Sequence, residues 1–252
     1  MTKDKIKAAD LAVLKGLTKT RSQAQALILA GRILADGLPV RKAGQLLSSE
    51  VYLSLKEGRT YVSRGGFKLA GALEDFNLEV KGLKVLDAGA STGGFTDCLL
   101  QKGASWVTAA DVGRGLIDFS LRNDPRVLVI ENLNLRRLTL NEAEEKLKAP
   151  FELITADLSF ISLKLILPAL APLVIPGGHI LALVKPQFEA GPEKVGKKGI
   201  VKDPAVIKEA TQSIIAFVPA LNPPFTFLDQ KPSRLTGAGG NQEIFIFLQR
   251  EI

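Results

Sequence analysis

The sequence is poor in cysteine, histidine and the larger aromatic side chains. Its 252 residues include one Cys, one His, one Trp and two Tyr. A single cysteine excludes an intramolecular disulfide and a zinc site built on several cysteines, and a single histidine argues against a histidine-rich metal site or a catalytic triad. We therefore expect a protein that uses no metal, and its low cysteine content is typical of the cytoplasm.

A long hydrophobic run is also absent from the sequence. The first ten residues, MTKDKIKAAD, contain no apolar core of the kind found in signal peptides. The longest apolar stretch, 165–176, contains three prolines and is too short to span a bilayer. We therefore expect no membrane partner.

Positive charge is concentrated near the N-terminus. Residues 1–68 hold 13 Lys and Arg against 5 Asp and Glu, whereas the remaining 184 residues hold 20 against 21. A basic first quarter beside a nearly neutral remainder favours a polyanionic partner, above all a nucleic acid. The simpler alternative is a basic soluble domain without such a partner.

The first 58 residues have the pattern of a small α+β unit. Apolar spacing predicts a helix over 4–15 that ends at Gly16. Thr20, with Gln23 three residues later, has the capping-box pattern of a second helix that ends at Gly31. Short strands separated by an Asp-Gly turn follow, with apolar residues Ile33, Leu34, Val40, Val51, Leu53 and Leu55.

This order of elements resembles the S4-like RNA-binding domain. The family usually begins with Arg-Leu-Asp, where this chain has Lys7, Ala8 and Ala9. The resemblance implies an RNA-binding domain over 1–58, followed by a linker over 59–66. The residues that match are Gly16, Leu17, Thr20, Arg21, Ala24, Leu27, Ile28, Gly31, Asp36 and Gly37. The basic residues that we expect to bind RNA here are Lys7, Arg21, Arg32, Arg41, Lys42 and Arg64.

The remaining sequence, 67–252, alternates apolar strands with helices. This alternation is typical of a parallel sheet covered by helices on both faces, so we expect a Rossmann-like α/β domain. No helix separates the last two predicted strands, which we therefore expect to pair antiparallel. The predicted strands are 85–86, 106–110, 127–130, 151–156, 180–184, 225–228 and 244–248, and the predicted helices are 68–76, 93–102, 163–174 and 204–218.

Polar side chains stand at the ends of four predicted strands. They are Asp87, Asp111, Asp157 and Lys185. Because ligands of open parallel sheets bind at the carboxyl ends of the strands, we expect these residues to converge on a site.

A glycine-rich turn, 87–96, connects the first of these strands to a helix. Its glycines do not have the Gly-x-Gly-x-x-Gly spacing of a dinucleotide site, and no Gly-Lys-Ser/Thr follows, so a phosphate-binding P-loop is excluded. The turn fits S-adenosylmethionine instead. We expect Asp87 and the turn to hold the amino-acid part, Asp111 the ribose hydroxyls, and Asn134 the adenine. The full set of expected cofactor contacts is Asp87, Gly89, Ser91, Gly93, Gly94, Phe95, Asp111 and Asn134.

Lys185 ends an apolar strand and is expected to be partly buried. Burial disfavours the charged ammonium, which suits a lysine that acts as a general base on a sugar hydroxyl. Asp157 ends another strand and can orient Lys185. Lys68 and Glu243 could complete the group if the fold brings them to the same edge.

At this point the chain resembles the TlyA / hemolysin A family of ribosomal RNA 2′-O-methyltransferases, which join an S4-like domain to an FtsJ-like methyltransferase domain. The family's Lys-Asp-Lys-Glu tetrad falls on Lys68, Asp157, Lys185 and Glu243. The resemblance implies S-adenosylmethionine as cofactor, a cytidine of ribosomal RNA as substrate, and, for shorter members, the large ribosomal subunit as target. The matching motifs span 61–68, 87–96, 111–113, 156–162, 184–189 and 239–243.

Three other hypotheses stay open from the sequence. They are a hemolysin-like membrane-active protein, a methyltransferase acting on a base or a small molecule, and an RNA-binding module without catalysis. The loop 191–203 carries several lysines, including Lys197 and Lys198, and we expect it to be mobile and to close over RNA.

Overall fold

The computed structural model describes residues 5–29, 31–55, 61–237 and 239–252. The chain divides into two compact units, Met1–Thr60 and Tyr61–Ile252. The domain boundary that the sequence predicts, at residue 58, lies in 56–60, outside the described residues.

The first unit contains short helices and short strands. Its elements are β1 Lys5–Lys7, α1 Ala8–Leu14, α2 Arg21–Leu29, β2 Ile33–Ala35, β3 Leu38–Pro39, β4 Leu46–Ser48 and β5 Leu53–Leu55. One antiparallel pair joins β1 to β4, and β3, β2 and β5 form an antiparallel sheet in that order. The predicted helix over 4–15 is wrong at its start, because 5–7 is a strand paired with β4.

Helix α2 begins as the sequence predicts, with one difference in its cap. The hydroxyl of Thr20 accepts a hydrogen bond from the backbone N–H of Gln23 at 3.2 Å. The side chain of Gln23 accepts from the N–H of Lys19 at 2.9 Å, one residue before the N-cap. Both contacts satisfy N–H groups at the start of the helix.

The second unit is built on one large sheet. Its elements are α3 Arg64–Asp75, β6 Lys84–Ala88, α4 Gly94–Gln101, β7 Trp106–Ala110, α5 Phe119–Arg122, β8 Val127–Ile130, α6 Leu140–Glu142, β9 Phe151–Ala156, α7 Leu163–Leu170, β10 Val174–Val184, α8 Pro186–Glu189, α9 Pro204–Ile215, β11 Phe225–Pro232 and β12 Ile244–Arg250.

The sheet has the order β11-β12-β10-β9-β6-β7-β8. The five strands from β10 to β8 are parallel, and β12 pairs antiparallel with both β10 and β11. Ala88, the last residue of β6, lies opposite Ala110 and Ala156, the last residues of β7 and β9. The carboxyl ends of these strands are therefore level, which confirms the predicted Rossmann-like α/β sheet.

Both faces of the sheet are covered, which explains the continuous apolar strands. Leu86 and Ile154 pack into one buried cluster, whereas their neighbours Val85 and Leu153 pack into the other. Successive side chains of a strand point to opposite faces, so a strand covered on both sides needs apolar residues at every position.

Helix α3 begins earlier than the sequence predicts. Residues 64–66, assigned to a linker from their glycines, form its first turn. Gly66 is used for close packing, because a Cβ there would collide with the side chain of Tyr61. A Cβ on Gly65 would instead make ordinary contacts of 3.4 Å or longer with Phe95, Ser63 and Gly94.

We expect Gly66→Ala to lower the free energy of unfolding by about 1–3 kcal/mol, because the added methyl overpacks the contact with Tyr61. Gly65→Ala is the matched control, since it gains the same helix propensity without a collision. Urea unfolding of both variants measures the difference, and equal stabilities would contradict the packing role.

Candidate active site

Three polar residues stand directly after parallel strands of the sheet. Asp111 follows β7, Asp157 follows β9 and Lys185 follows β10. Strands β9 and β10 are neighbours, and β6 separates β9 from β7, so the three residues lie at the same edge of the sheet, as the sequence predicts.

Lys185 is buried and held by two oxygen atoms. Its Nζ lies 2.6 Å from Asp157 Oδ1 and donates a hydrogen bond to Ser159 Oγ at 2.9 Å. The lysine is 8% exposed. A buried ammonium is stable only when it is paired and hydrogen-bonded, and the segment after β9 supplies both partners.

A second buried ion pair joins Lys68 to Glu243. Lys68 lies on α3, and Glu243 immediately precedes β12. The Lys68 Nζ and Glu243 Oε2 atoms are 2.5 Å apart, and both side chains are almost fully buried. The pair therefore connects α3 to the antiparallel end of the sheet, across 175 residues of sequence.

Lysines of both ion pairs stand at a cavity of about 220 Å³. Lys68, Asp157 and Lys185 line it, whereas Glu243 does not line it and is connected to it by its ion pair with Lys68. Three of the four predicted catalytic residues thus lie at one cavity, and the fourth is paired with one of them. Its other lining residues come mainly from the start of α3 and the glycine turn, and include Ser63, Arg64, Gly65, Gly89, Ser91, Gly94, Phe95 and Thr236.

A larger cavity of about 460 Å³ adjoins the first one. Both are lined by Gly89, Ser91, Asp157 and Ser159, which form their common border. The larger cavity combines a few polar groups with apolar walls, a composition typical of sites for a small organic ligand. Its remaining walls include Asp111, Val112, Leu116, Leu133, Asn134, Leu135, Leu158, Phe160, Ile161 and Ile166.

The glycine turn allows the backbone to approach this border closely. Gly89 has a φ of +85°, and a Cβ there would lie 2.7 Å from the carbonyl oxygen of Asp157. Gly94 is equally confined, since a Cβ would lie 2.8 Å from the backbone nitrogen of Gly66. Gly93 instead packs toward Ile117 and Leu121 and lines neither cavity, in contrast to the expectation of a cofactor contact.

Asp111 holds the turn together and faces the larger cavity. Its Oδ2 accepts from the N–H of Ser91 at 2.8 Å, and its Oδ1 accepts from the N–H of Gly113 at 2.7 Å. Each carboxylate oxygen keeps a further acceptor site for a ligand hydroxyl. Asn134 lines the same cavity, and its side chain accepts from the N–H of Arg136 at 3.1 Å.

Asp87 lies away from both cavities, in contrast to the sequence-based expectation. It stands one residue before the end of β6, is fully buried, and accepts hydrogen bonds from Thr96 Oγ1 at 2.7 Å and Thr155 Oγ1 at 3.2 Å. Burial raises the pKa of Asp87 to about 7. The residue therefore connects β6, β9 and α4 beneath the site and does not line it.

The predicted RNA-binding residues of the first unit are mainly exposed. Lys7, Arg41 and Lys42 are exposed, whereas Arg32 is half-buried. Arg21 is exposed, but its Nε forms an ion pair with Asp10 at 3.1 Å.

The remaining predicted RNA-binding residues belong to the second unit. Arg64 lines the smaller cavity and donates a hydrogen bond to the carbonyl of Thr236 at 3.0 Å. Lys198 is exposed with a φ of +69°. The side chain of Lys197 lies outside the part of the chain that the structure describes.

The lysine-rich loop 191–203 is anchored at several points. Asn241 accepts from the N–H of Val201 at 2.8 Å and donates to the carbonyl of Gly199 at 2.9 Å. Lys194 pairs with Glu209 at 2.7 Å. These contacts hold the loop to α9 and to Asn241, and its predicted closure over RNA stays a prediction.

Sequence reasoning missed the roles of Ser159 and Asn241. Ser159 contacts Lys185. Asn241, two residues before Glu243 in the sequence, anchors the loop 191–203. Their positions inside the motifs 156–162 and 239–243 were the available signal, but a serine or asparagine in a motif does not reveal its partner.

No helix in the described part of the chain is both long and apolar enough to cross a membrane.

Comparison with known proteins identifies the family. The FtsJ-like methyltransferase model matches residues 61–250. The chain belongs to the TlyA / hemolysin A family of FtsJ-like methyltransferases. The 16S/23S rRNA (cytidine-2′-O)-methyltransferase TlyA of Mycobacterium tuberculosis is 44% identical over 95% of this chain and 88% of that protein.

Two further similarities extend over much of the chain. The 23S rRNA (cytidine-2′-O)-methyltransferase TlyA of Campylobacter jejuni is 38% identical over 74% of this chain and 70% of that protein. The solved structure of a "putative hemolysin" of Streptococcus thermophilus has a TM-score of 0.73 at 40% identity, covering 98% of this chain and 89% of that chain. Family membership thus confirms the methyltransferase assignment made from the sequence motifs.

We expect Gly89→Ala to weaken S-adenosylmethionine binding at least about tenfold, because the added methyl would displace the backbone at Asp157 on the border of both cavities. Gly82→Ala is the control, since Gly82 has a similar φ of +79° but no atom near its Cβ position. Calorimetric titration measures both affinities, and an unchanged affinity for Gly89→Ala would contradict this location of the binding site.

Because the carboxyl of Asp87 is buried, we expect its contribution to the free energy of unfolding to fall as the pH rises. Its folded pKa of about 7 is above the usual value of 3.8, so the folded state keeps a proton that the unfolded state loses between these values. We therefore expect this residue's contribution to the free energy of unfolding to decrease from pH 4 to pH 7. Urea unfolding across this range measures it, and Asp87→Asn should remove that part of the pH dependence.

Proposed function

We propose that this protein transfers a methyl group from S-adenosylmethionine to the ribose 2′-hydroxyl of a cytidine in ribosomal RNA. The observation that carries the proposal is the presence of two buried lysines, each paired with a carboxylate, at the cavity beside the glycine turn. A ribose hydroxyl is a weak acid, and its methylation needs a base and a precise alignment.

The residues around the larger cavity fit the adenosine part of the cofactor. Asp111 offers carboxylate oxygens to ribose hydroxyls, and Asn134 offers an amide to the base. Leu116, Leu133 and Ile166 supply apolar walls on which a flat ring can pack. The methionine part would extend past Gly89 toward Lys68 and Lys185, since both cavities share that border. When bound, the cofactor supplies an activated methyl carbon.

In this proposal Lys185 is the base. Asp157 and Ser159 hold its Nζ at the cavity. Lys185 would act in its neutral form: its Nζ would accept the proton of the 2′-hydroxyl as the hydroxyl oxygen takes the methyl group that the bound cofactor supplies.

The remaining members of the tetrad orient Lys185 and balance the charges of the reaction. Asp157 keeps Lys185 at the cavity and stabilises the ammonium that forms after proton transfer. Lys68, fixed by Glu243, adds a second positive charge, which stabilises negative charge that develops on the ribose oxygen.

The names of the relatives support ribosomal RNA as substrate, and one of them specifies the large-subunit RNA alone. We propose the large ribosomal subunit as the target and the cytoplasm as the location. The exposed basic residues Lys7, Arg41 and Lys42 would bind RNA phosphates, as expected of an S4-like domain. The target nucleotide would be unpaired or turned out, since a ribose within a rigid duplex is difficult to align.

We expect Lys185→Ala to reduce the methylation rate by about 10²-fold or more, because the reaction loses its general base. Lys208→Ala, which removes an exposed lysine on α9, should retain the wild-type rate. The measurement is methyl incorporation into ribosomal RNA, followed by nuclease digestion and mass analysis.

Methylation found on the base would contradict the ribose assignment, and equal rates for wild type and Lys185→Ala would contradict the base role. Leakage of dye from lipid vesicles by the pure protein would support the membrane-active alternative that the family name includes.

A further inference from the structure

The segment after β10 contains a charged residue that the proposed reaction does not use. Glu189 ends the short helix α8, four residues after Lys185. Its Oε2 accepts a hydrogen bond from Ser162 Oγ at 2.6 Å, and its Oε1 accepts from the backbone N–H of Leu163 at 2.8 Å. Both oxygens therefore bind the first residues of α7, on a different segment of the chain.

The segment that Glu189 binds is the one that holds Lys185. Residues 157–162 connect β9 to α7, and they contain Asp157 and Ser159, the two partners of Lys185. The segment is consequently tied to the end of β10 at both of its ends. Lys185 holds the beginning, and Glu189 holds the last residue and the start of α7.

Opposing effects act on the charge of Glu189: burial raises the pKa of its carboxyl, whereas the hydrogen bonds from Ser162 and Leu163 favour the charged form. Ser162 is the N-cap of α7, and an anion at a helix N-terminus is stabilised by the free N–H groups and the helix dipole. Glu189 is half-buried, so its two hydrogen bonds are protected from competition by water. The rings of Phe160 and Phe188 also meet between the same two segments, with centroids 5.1 Å apart.

The segment 157–162 contains a backbone conformation that its surroundings must hold in place. Phe160, between Ser159 and Ser162, has a φ of +64°, in the left-handed region that non-glycine residues seldom adopt. Such a conformation persists only when its surroundings fix it, and the contacts of Glu189 lie two residues further along the chain.

We infer that Glu189 is a positioning residue for methyl transfer: by binding Ser162 and Leu163 it fixes the 157–162 segment so that Asp157 and Ser159 meet Lys185. The inference rests on the proposed function, and it assigns to Glu189 no contact with substrate or cofactor.

The test compares three single variants by kcat, by KM for RNA and by affinity for S-adenosylmethionine. Glu189→Ala should lower kcat about tenfold, because a displaced base is poorly aligned, and it should also weaken cofactor affinity, since residues 157–161 line the larger cavity. Glu189→Gln should recover most of the rate, since its amide can donate to Ser162 Oγ and accept from the Leu163 N–H.

Glu142→Ala is the matched control. Glu142 accepts from the N–H and the hydroxyl of Thr139 at the start of α6, at 3.1 and 2.9 Å, and so has the same chemistry away from Lys185. It should leave kcat unchanged. A wild-type kcat in Glu189→Ala, or an equal loss of kcat in Glu142→Ala, would overturn the inference.

Hydrogen exchange separates this inference from the proposed function. The amide of Leu163 should exchange faster in Glu189→Ala than in wild type and Glu189→Gln, whatever reaction the protein catalyses. Unchanged exchange would overturn the positioning role. Wild-type protein that does not methylate ribose would contradict the proposed function instead, and the exchange result would still decide whether Glu189 holds the segment.

Discussion

The arrangement of the site depends on the cost of burying the Lys185 ammonium. A lysine taken out of water needs a counter-charge and hydrogen-bond acceptors, and both come from the few residues after β9. Because β9 and β10 are parallel neighbours, their carboxyl ends bring those residues together without a long connection. The electrostatic requirement of the lysine and the topology of the sheet therefore select the same edge.

A one-residue difference in position separates structural carboxylates from carboxylates that face the site. Asp111 and Asp157 follow the last residues of their strands and line cavities, whereas Asp87 is still within β6 and is buried. Within the strand its side chain accepts hydrogen bonds from Thr96 and Thr155 and lines neither cavity. The raised pKa of Asp87 is thus a consequence of burial beneath the site.

The sheet was predictable because its strands have a simple physical signature. The bounds of β7, β8 and β9 agree with their apolar runs, since strands covered on both faces need apolar residues at every position. The residues alone did not predict that Lys68 pairs with Glu243, because this contact depends on how α3 packs against the last two strands. The family motif, and not the local pattern, pointed to that pair.

A pair of adjacent glycines is typical both of a flexible linker and of a helix that packs closely, so the sequence did not distinguish the two here. Gly65 and Gly66 fall in the predicted linker, but they belong to the first turn of α3, whose backbone packs closely on Gly94 of α4.

This close packing has a consequence for the chemistry. The approach of α3 to α4 sets the position of Lys68 one turn of helix beyond the contact, and the glycine turn at the start of α4 lines the same cavity. A Cβ on Gly94 would lie 2.8 Å from the backbone nitrogen of Gly66 and would force the two helices apart. Gly94 therefore acts on the distance between Lys68 and the glycine turn, although it has no side chain of its own.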